Sequence, residues 1–207
     1  MAGILAPVVF VSVFTVAGAL RPGYHPVSMF VSELSLGPGG WVQRLNFAVT
    51  GSLIAVFGWS TVPLLRRSSG RVGPSSITFM VLGTCLALSG VANTDPSAMF
   101  SQTTTHGVVH GILGAVVFLS LPISCLQVAA ELRRRELRAT MRRVTVAVGV
   151  AMFALIVVLK VSELPTTFLF AWRGLVQRII LIGYFVWLLG FATALRSYAR
   201  RRPVAQE

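Results

Sequence analysis

Thirteen of the eighteen Lys and Arg residues fall in three short segments, and the stretches between those segments are long, apolar and nearly free of charge. Arg66, Arg67 and Arg71 make the first segment, Arg133, Arg134, Arg135, Arg138, Arg142 and Arg143 the second, and Arg196, Arg200, Arg201 and Arg202 the third. Basic residues are retained on the cytoplasmic side of a membrane, so this alternation predicts a topology. Six apolar runs lie around the segments, at 2–20, 41–65, 75–93, 107–129, 144–162 and 174–195. Each has about the twenty residues that a helix needs to cross some 30 Å of hydrocarbon. The expectation is an all-α membrane protein: one six-transmembrane-helix domain over 1–207, three out-facing hairpins, cytoplasmic N- and C-termini, and a basic cytoplasmic tail at 196–207.

Composition excludes the main alternatives. With 55% hydrophobic and 12% charged residues, a soluble fold would carry an implausibly apolar surface. The net charge of +12 suggests nucleic acid, but the arginines adjoin helix ends, where anionic inner-leaflet lipid is the nearer partner. The expected partner is therefore the bilayer, with no nucleic acid. The small residues Val16-Ala17-Gly18-Ala19 imitate a signal-peptidase site, but no basic n-region precedes them, so the first run reads as a retained helix. Cys85 and Cys125 both lie in apolar runs and read as small buried hydrophobes, implying no disulfide. The stretch from Glu131 to Arg143 reads as a solvated extension of helices four and five.

The predicted outer connections hold the chemistry. The first carries Arg21, His25, Ser32 and Glu33, with Arg44 entering the next helix; the second carries Asp95, His106 and His110; the third carries Lys160, Glu163, Arg173, Gln177 and Arg178. Ionisable groups gathered at one membrane depth are costly unless paired or hydrated, which makes them a functional-site expectation. The inner half shows no comparable cluster. Val31-Ser32-Glu33-Leu34 recurs as Val161-Ser162-Glu163-Leu164, and Val42-Gln43-Arg44 recurs as Val176-Gln177-Arg178. Hairpins one and three then read as parallel copies, each bringing a carboxylate and an arginine outward. The alternative is two salt bridges, Glu33 with Arg44 and Glu163 with Arg178.

His106 and His110, four residues apart on a helix, have the spacing by which two imidazoles grip one metal ion, with His25 as a third nitrogen. Glu33 or Asp95 would supply an oxygen ligand or a general base for metal-bound water, and zinc is the cofactor this chemistry suggests. Arg44, Arg178, Gln177, Glu163 and Ser32 would hold a substrate with an anionic headgroup. The plainer readings stay open: interfacial hydrogen-bonded histidines, Asp95-Pro96 as a helix start, and Lys160 paired with Glu163 three residues on.

Taken together, these short motifs resemble the bacterial and archaeal membrane family known as domain of unknown function 998. The resemblance rests on Ser32-Glu33-Leu34, Asn46 and Gly51, Asp95-Pro96, His106-Gly107 with His110, Gly174 to Arg178, and Trp187, and spans about 5 to 197. It implies a six-helix protein of a prokaryotic plasma membrane, with Ser32, Glu33, Asp95, His106, His110, Gln177 and Arg178 as motif positions without assigned roles. A looser likeness is to intramembrane zinc hydrolases of the alkaline ceramidase type, which use a serine, an aspartate and three histidines. This chain departs from them in having six helices, its His pair in helix four and no histidine in the last helix. Three classes follow: a metal-dependent hydrolase of a lipid or lipid-linked substrate, a small proton-coupled transporter or flippase, and a non-catalytic bundle that binds lipid or a partner helix. Oligomeric state is not legible.

Overall fold

The computed structural model describes residues 1–65, 70–96, 104–133 and 139–201. Within them the chain forms six α-helices: α1 Ala2–Leu20, α2 Gly40–Leu65, α3 Pro74–Leu88, α4 Thr105–Arg133, α5 Ala139–Ser162 and α6 Arg173–Arg201. Five are long and apolar enough to cross a membrane, and α3 is shorter. Two single-turn 3-10 segments, Val31–Ser35 and Phe168–Trp172, sit in the connections, and the described residues contain no strand. Of the predicted basic segments, Arg66, Arg67, Arg134, Arg135, Arg138 and Arg202 lie outside the described residues.

Successive helices pack against one another, and α1 closes the ring against α6. The order is antiparallel. Near one end Thr61 of α2 meets Ser76 of α3 at 2.8 Å, while near the other His110 of α4 meets Ala92, just past α3, at 2.7 Å. One end of the bundle thus gathers the connections after α1, α3 and α5 and is called the cap end here; the other carries the described arginines of the basic segments, among them Arg142, Arg143, Arg196 and Arg200. The middle of the ring is filled by aromatic side chains of α6. Tyr184, Phe185, Trp187 and Phe191 are buried, and their rings meet Phe10 of α1, Phe57 of α2 and Phe79 of α3. In hydrocarbon this packing, not water release, holds helices together. Buried hydroxyls are satisfied inside: Ser124 meets the Tyr184 hydroxyl at 3.0 Å, and the Trp187 indole donates to Thr145 at 3.1 Å.

Two boundaries differ from the sequence reading. The apolar run at 75–93 is helical only to Leu88, after which the Gly90 and Val91 amides bond three residues back, to the Ala87 and Leu88 carbonyls at 3.0 Å and 2.9 Å, in a turn. At the chain's far end, the stretch expected as a tail from 196 continues α6 to Arg201. Glu131 is also not solvated. It is 8% exposed, and its carboxylate accepts the Ser75 amide at 3.2 Å and the Ser75 hydroxyl at 2.5 Å. A helix start leaves amide groups without partners, and α4 supplies one for α3.

The tightest crossing is α2 on α3. A Cβ on Gly51 would run into the Ala87 amide and the Gly83 carbonyl, so the two backbones touch where no side chain fits. A Cβ on Gly111 of α4 would meet nothing within 4 Å. Gly51→Leu is expected to destabilise the bundle by about 1–3 kcal/mol through overpacking. Gly111→Leu should not destabilise it and should raise stability by up to about 1 kcal/mol, since Gly is the poorer helix former. Thermal unfolding of both variants in the same detergent checks this pair.

Candidate functional site

The connection between α1 and α2 folds back over the cap end, turned by glycines with positive φ at Gly23 (72°), Gly37 (66°) and Gly39 (81°). Inside it, the Tyr24 hydroxyl donates to the Phe30 carbonyl at 3.0 Å. Glu33, 2% exposed, accepts the Phe30 amide on its carboxylate at 3.1 Å and so caps the 3-10 turn. Its carbonyl accepts from Arg21 Nη1 at 2.8 Å, and the Ser35 hydroxyl donates to the Ser32 carbonyl at 2.7 Å.

The start of α6 clamps this folded segment. Gly174 allows it: a Cβ there would collide with the Met29 carbonyl. The Leu175 amide, one of the donors a helix start leaves over, reaches the Val27 carbonyl at 2.9 Å. Gln177 Oε1 accepts the Val31 amide at 2.7 Å. Arg178 Nη1 donates to the carbonyls of Pro26 at 2.5 Å, Met29 at 2.9 Å and Gly174 at 3.0 Å, while Nη2 bonds the Tyr24 hydroxyl. The guanidinium also lies 5.3 Å from the centre of the Tyr24 ring. A buried cation is tolerable when its donors are all taken up by oriented dipoles, and here those dipoles belong to the cap's own backbone. Burial raises the Tyr24 phenol above its ordinary value near 10, outweighing the opposite pull of Arg178.

The second connection is organised by Asp95. Its two oxygens accept the Thr104 amide at 2.9 Å and the Thr104 hydroxyl at 2.7 Å, and Thr104 Oγ1 in turn accepts the Gly107 amide at 3.0 Å. Thr104 so caps α4, and Asp95 holds Thr104 in place; the helix start expected at Asp95-Pro96 runs into residues outside the described ones. The histidine pair divides. His110 turns inward, where Nδ1 meets the Ala92 carbonyl at 2.7 Å. A carbonyl only accepts, so the proton sits on Nδ1 and Nε2 is left as an acceptor. His106 is exposed beside Leu88, Val91 and Val109. His25 is exposed on the cap.

Three of the predicted site residues do meet. Ser32, His110 and Gln177, with Ser89, line one cavity of about 60 Å³ between the cap, α4 and α6, closed by Phe10 and Phe47. That is room for about two waters. Arg44 and Glu163 lie apart: Arg44 is exposed on α2, and Glu163 pairs with Lys160 at 2.8 Å. Among the described residues no group of three or more His, Cys, Asp or Glu lies close enough to hold one ion. The two motif copies also differ in surroundings, since Arg178 is buried in the clamp and Arg44 faces outward.

A larger opening lies beside the clamp, where the outer turns of α1 and the first turn of α2 diverge beneath the cap. This groove, about 530 Å³, is walled by Val13, Val16, Leu20, Leu34 and Val42, with Arg21 at its rim. Sequence reasoning noted Arg21 but assigned it nothing, and did not single out Tyr24 at all. The only signal available for either was a polar residue beside the Pro22-Gly23 turn.

Residues 4–194 match the family model described as "Protein of unknown function (DUF998)". The chain belongs to the DUF998 family. Comparison with curated proteins and with solved structures found no match. All the motif positions recognised in the sequence fall within the matched DUF998 span. In this DUF998 member Glu33, Gln177 and Arg178 bond the cap's backbone and Asp95 bonds Thr104, so four of those positions serve the architecture of the cap end.

Arg178→Met keeps the stem and removes the donors. Hydrogen bonds to charged groups are worth about 1.5–3 kcal/mol each, so amide exchange at Val31 and Leu175 should quicken at least about tenfold. Unchanged exchange at both amides would refute the clamp. Tyr24 adds a pH dependence with a definite sign: a phenol whose folded pKa is raised contributes stability that is complete below about pH 10 and lost as pH rises through the higher folded value. Thermal midpoints should therefore drop above about pH 10, and Tyr24→Phe should make that alkaline step smaller.

Proposed function

We propose that this protein is a non-catalytic lipid-binding bundle, holding an amphiphile of the extracytoplasmic leaflet in the groove between α1 and α2. The groove is the observation that carries this reading. Its volume of about 530 Å³ falls within the range of small-molecule sites, and its walls are apolar. The positive-inside rule puts the cap end outside, because the arginine segments gather at the opposite end. The cap then forms a lid at headgroup depth.

Two further observations favour binding over hydrolysis. The cavity shared by Ser32, His110 and Gln177 is only about 60 Å³, against the several hundred Å³ that a ligand site usually has. The motif carboxylates Glu33 and Asp95 already accept backbone amides, the role of a structural cap.

Filling the groove tests the reading without touching the clamp. Val13→Trp and Val16→Trp should each lower the lipid retained through detergent purification, measured by native mass spectrometry, by at least about fivefold, with little change in thermal midpoint. Equal lipid retention in the parent and both variants would overturn the groove as the binding site.

A further inference from the structure

Within a bilayer, an acyl chain gains little by leaving its neighbours for an apolar groove, because lipid tails are as apolar as the groove wall. Selection among lipids must then come from the headgroup, and the groove has one charged residue with which to make it. Of the residues that line it, Arg21 is the only ionisable one; Ser12 is polar and the rest are apolar, Gly or Pro.

Arg21 is not placed as a snorkelling side chain would be. It follows the last residue of α1 and is half-buried, and Nη1 is fixed on the Glu33 carbonyl at 2.8 Å. Glu33 is itself immobilised by the Phe30 amide. On the other side, Gly37 leaves the space that Nη2 occupies: a Cβ there would lie 3.3 Å from Nη2, in a backbone conformation (φ 66°) that L side chains rarely adopt. A guanidinium has five N–H donors, and one anchored nitrogen leaves others for a planar or tetrahedral anion. The rim thus holds an oriented cation directly above a hydrocarbon slot.

We infer that Arg21 recognises the phosphate of an anionic glycerophospholipid of the surrounding membrane, whose acyl chain occupies the α1–α2 groove. The inference rests on the lipid-binding reading above and names the class of lipid. An anionic headgroup is favoured over a zwitterionic one because no carboxylate lines the groove to offset Arg21 or to pair with a choline or ethanolamine cation. Charge-assisted bidentate contact with phosphate is the geometry for which arginine is suited and lysine is not.

The experiment uses the full chain in nanodiscs of phosphatidylcholine doped with a phosphatidylglycerol or a phosphatidylcholine probe, each carrying a photoactivatable acyl chain. Crosslinks are mapped by mass spectrometry to the peptides spanning residues 12–42. The parent should be labelled in the groove about fivefold or more in favour of the phosphatidylglycerol probe. Arg21→Gln should abolish that preference while labelling itself persists, and Arg21→Lys, which keeps the charge without the fork, should retain only part of it. Val16→Trp, which leaves the Arg21 to Glu33 bond in place, should abolish groove labelling by both probes. Equal labelling by the two probes in the parent, or a preference unchanged in Arg21→Gln, overturns the headgroup assignment and leaves the groove reading standing. No groove labelling by either probe overturns both.

Discussion

The buried guanidinium of Arg178 fixes how the cap end is built. Its donors reach the carbonyls of Pro26 and Met29 and the Tyr24 hydroxyl, about 150 residues earlier in the chain, and one carbonyl in its own helix. A cation held beneath a surface segment is stable only where oriented oxygens surround it, and an irregular segment with unpaired carbonyls is stable only where donors reach them. Each requirement meets the other. Gln177 and the Leu175 amide, both within the first turns of α6, extend the same exchange. The clamp closes the ring of helices at its chain ends, joining the segment that follows α1 to the first turn of α6.

The groove borders the same folded segment, whose Leu34 and Pro38 form part of its wall. Arg21 is held at the rim by the same 3-10 turn that Glu33 caps. The proposed lipid site shares none of the clamp's side chains. At the opposite end Glu131 does for α3 what Asp95, through Thr104, does for α4. Each carboxylate supplies an acceptor near a helix start where polar groups would otherwise go unpaired.

Much of the fold could be read from runs of apolar residues. A helix crossing hydrocarbon must be apolar along its length, so five of the six runs correspond to helices long enough to span a membrane. The exception, 75–93, shows the limit of that reading. Hydropathy does not register that α3 stops at Leu88, where the chain turns through Gly90 against the Arg44 backbone of α2. Glu131 was misread as solvated for a related reason. It lies beside arginines in the sequence, and only packing shows it turned towards Ser75. The candidate site was half legible: the sequence marks which polar residues sit at the cap end, because lone ionisable groups stand out in an apolar chain. It does not show that Ser32, His110 and Gln177 share a cavity, or that His106 turns away from it.

The chain alone determines an all-helical membrane protein with its runs of arginine at one end and its histidines at the other, since hydropathy and charge are properties of composition along a line. Which polar groups bond one another, and where a gap remains, were decided by tertiary structure, because both depend on the rotation of each helix about its axis. The Val-Gln-Arg copies make the point. At 176–178 the arginine faces inward and carries the cap, at 42–44 it faces outward, and no difference between the two tripeptides distinguishes them.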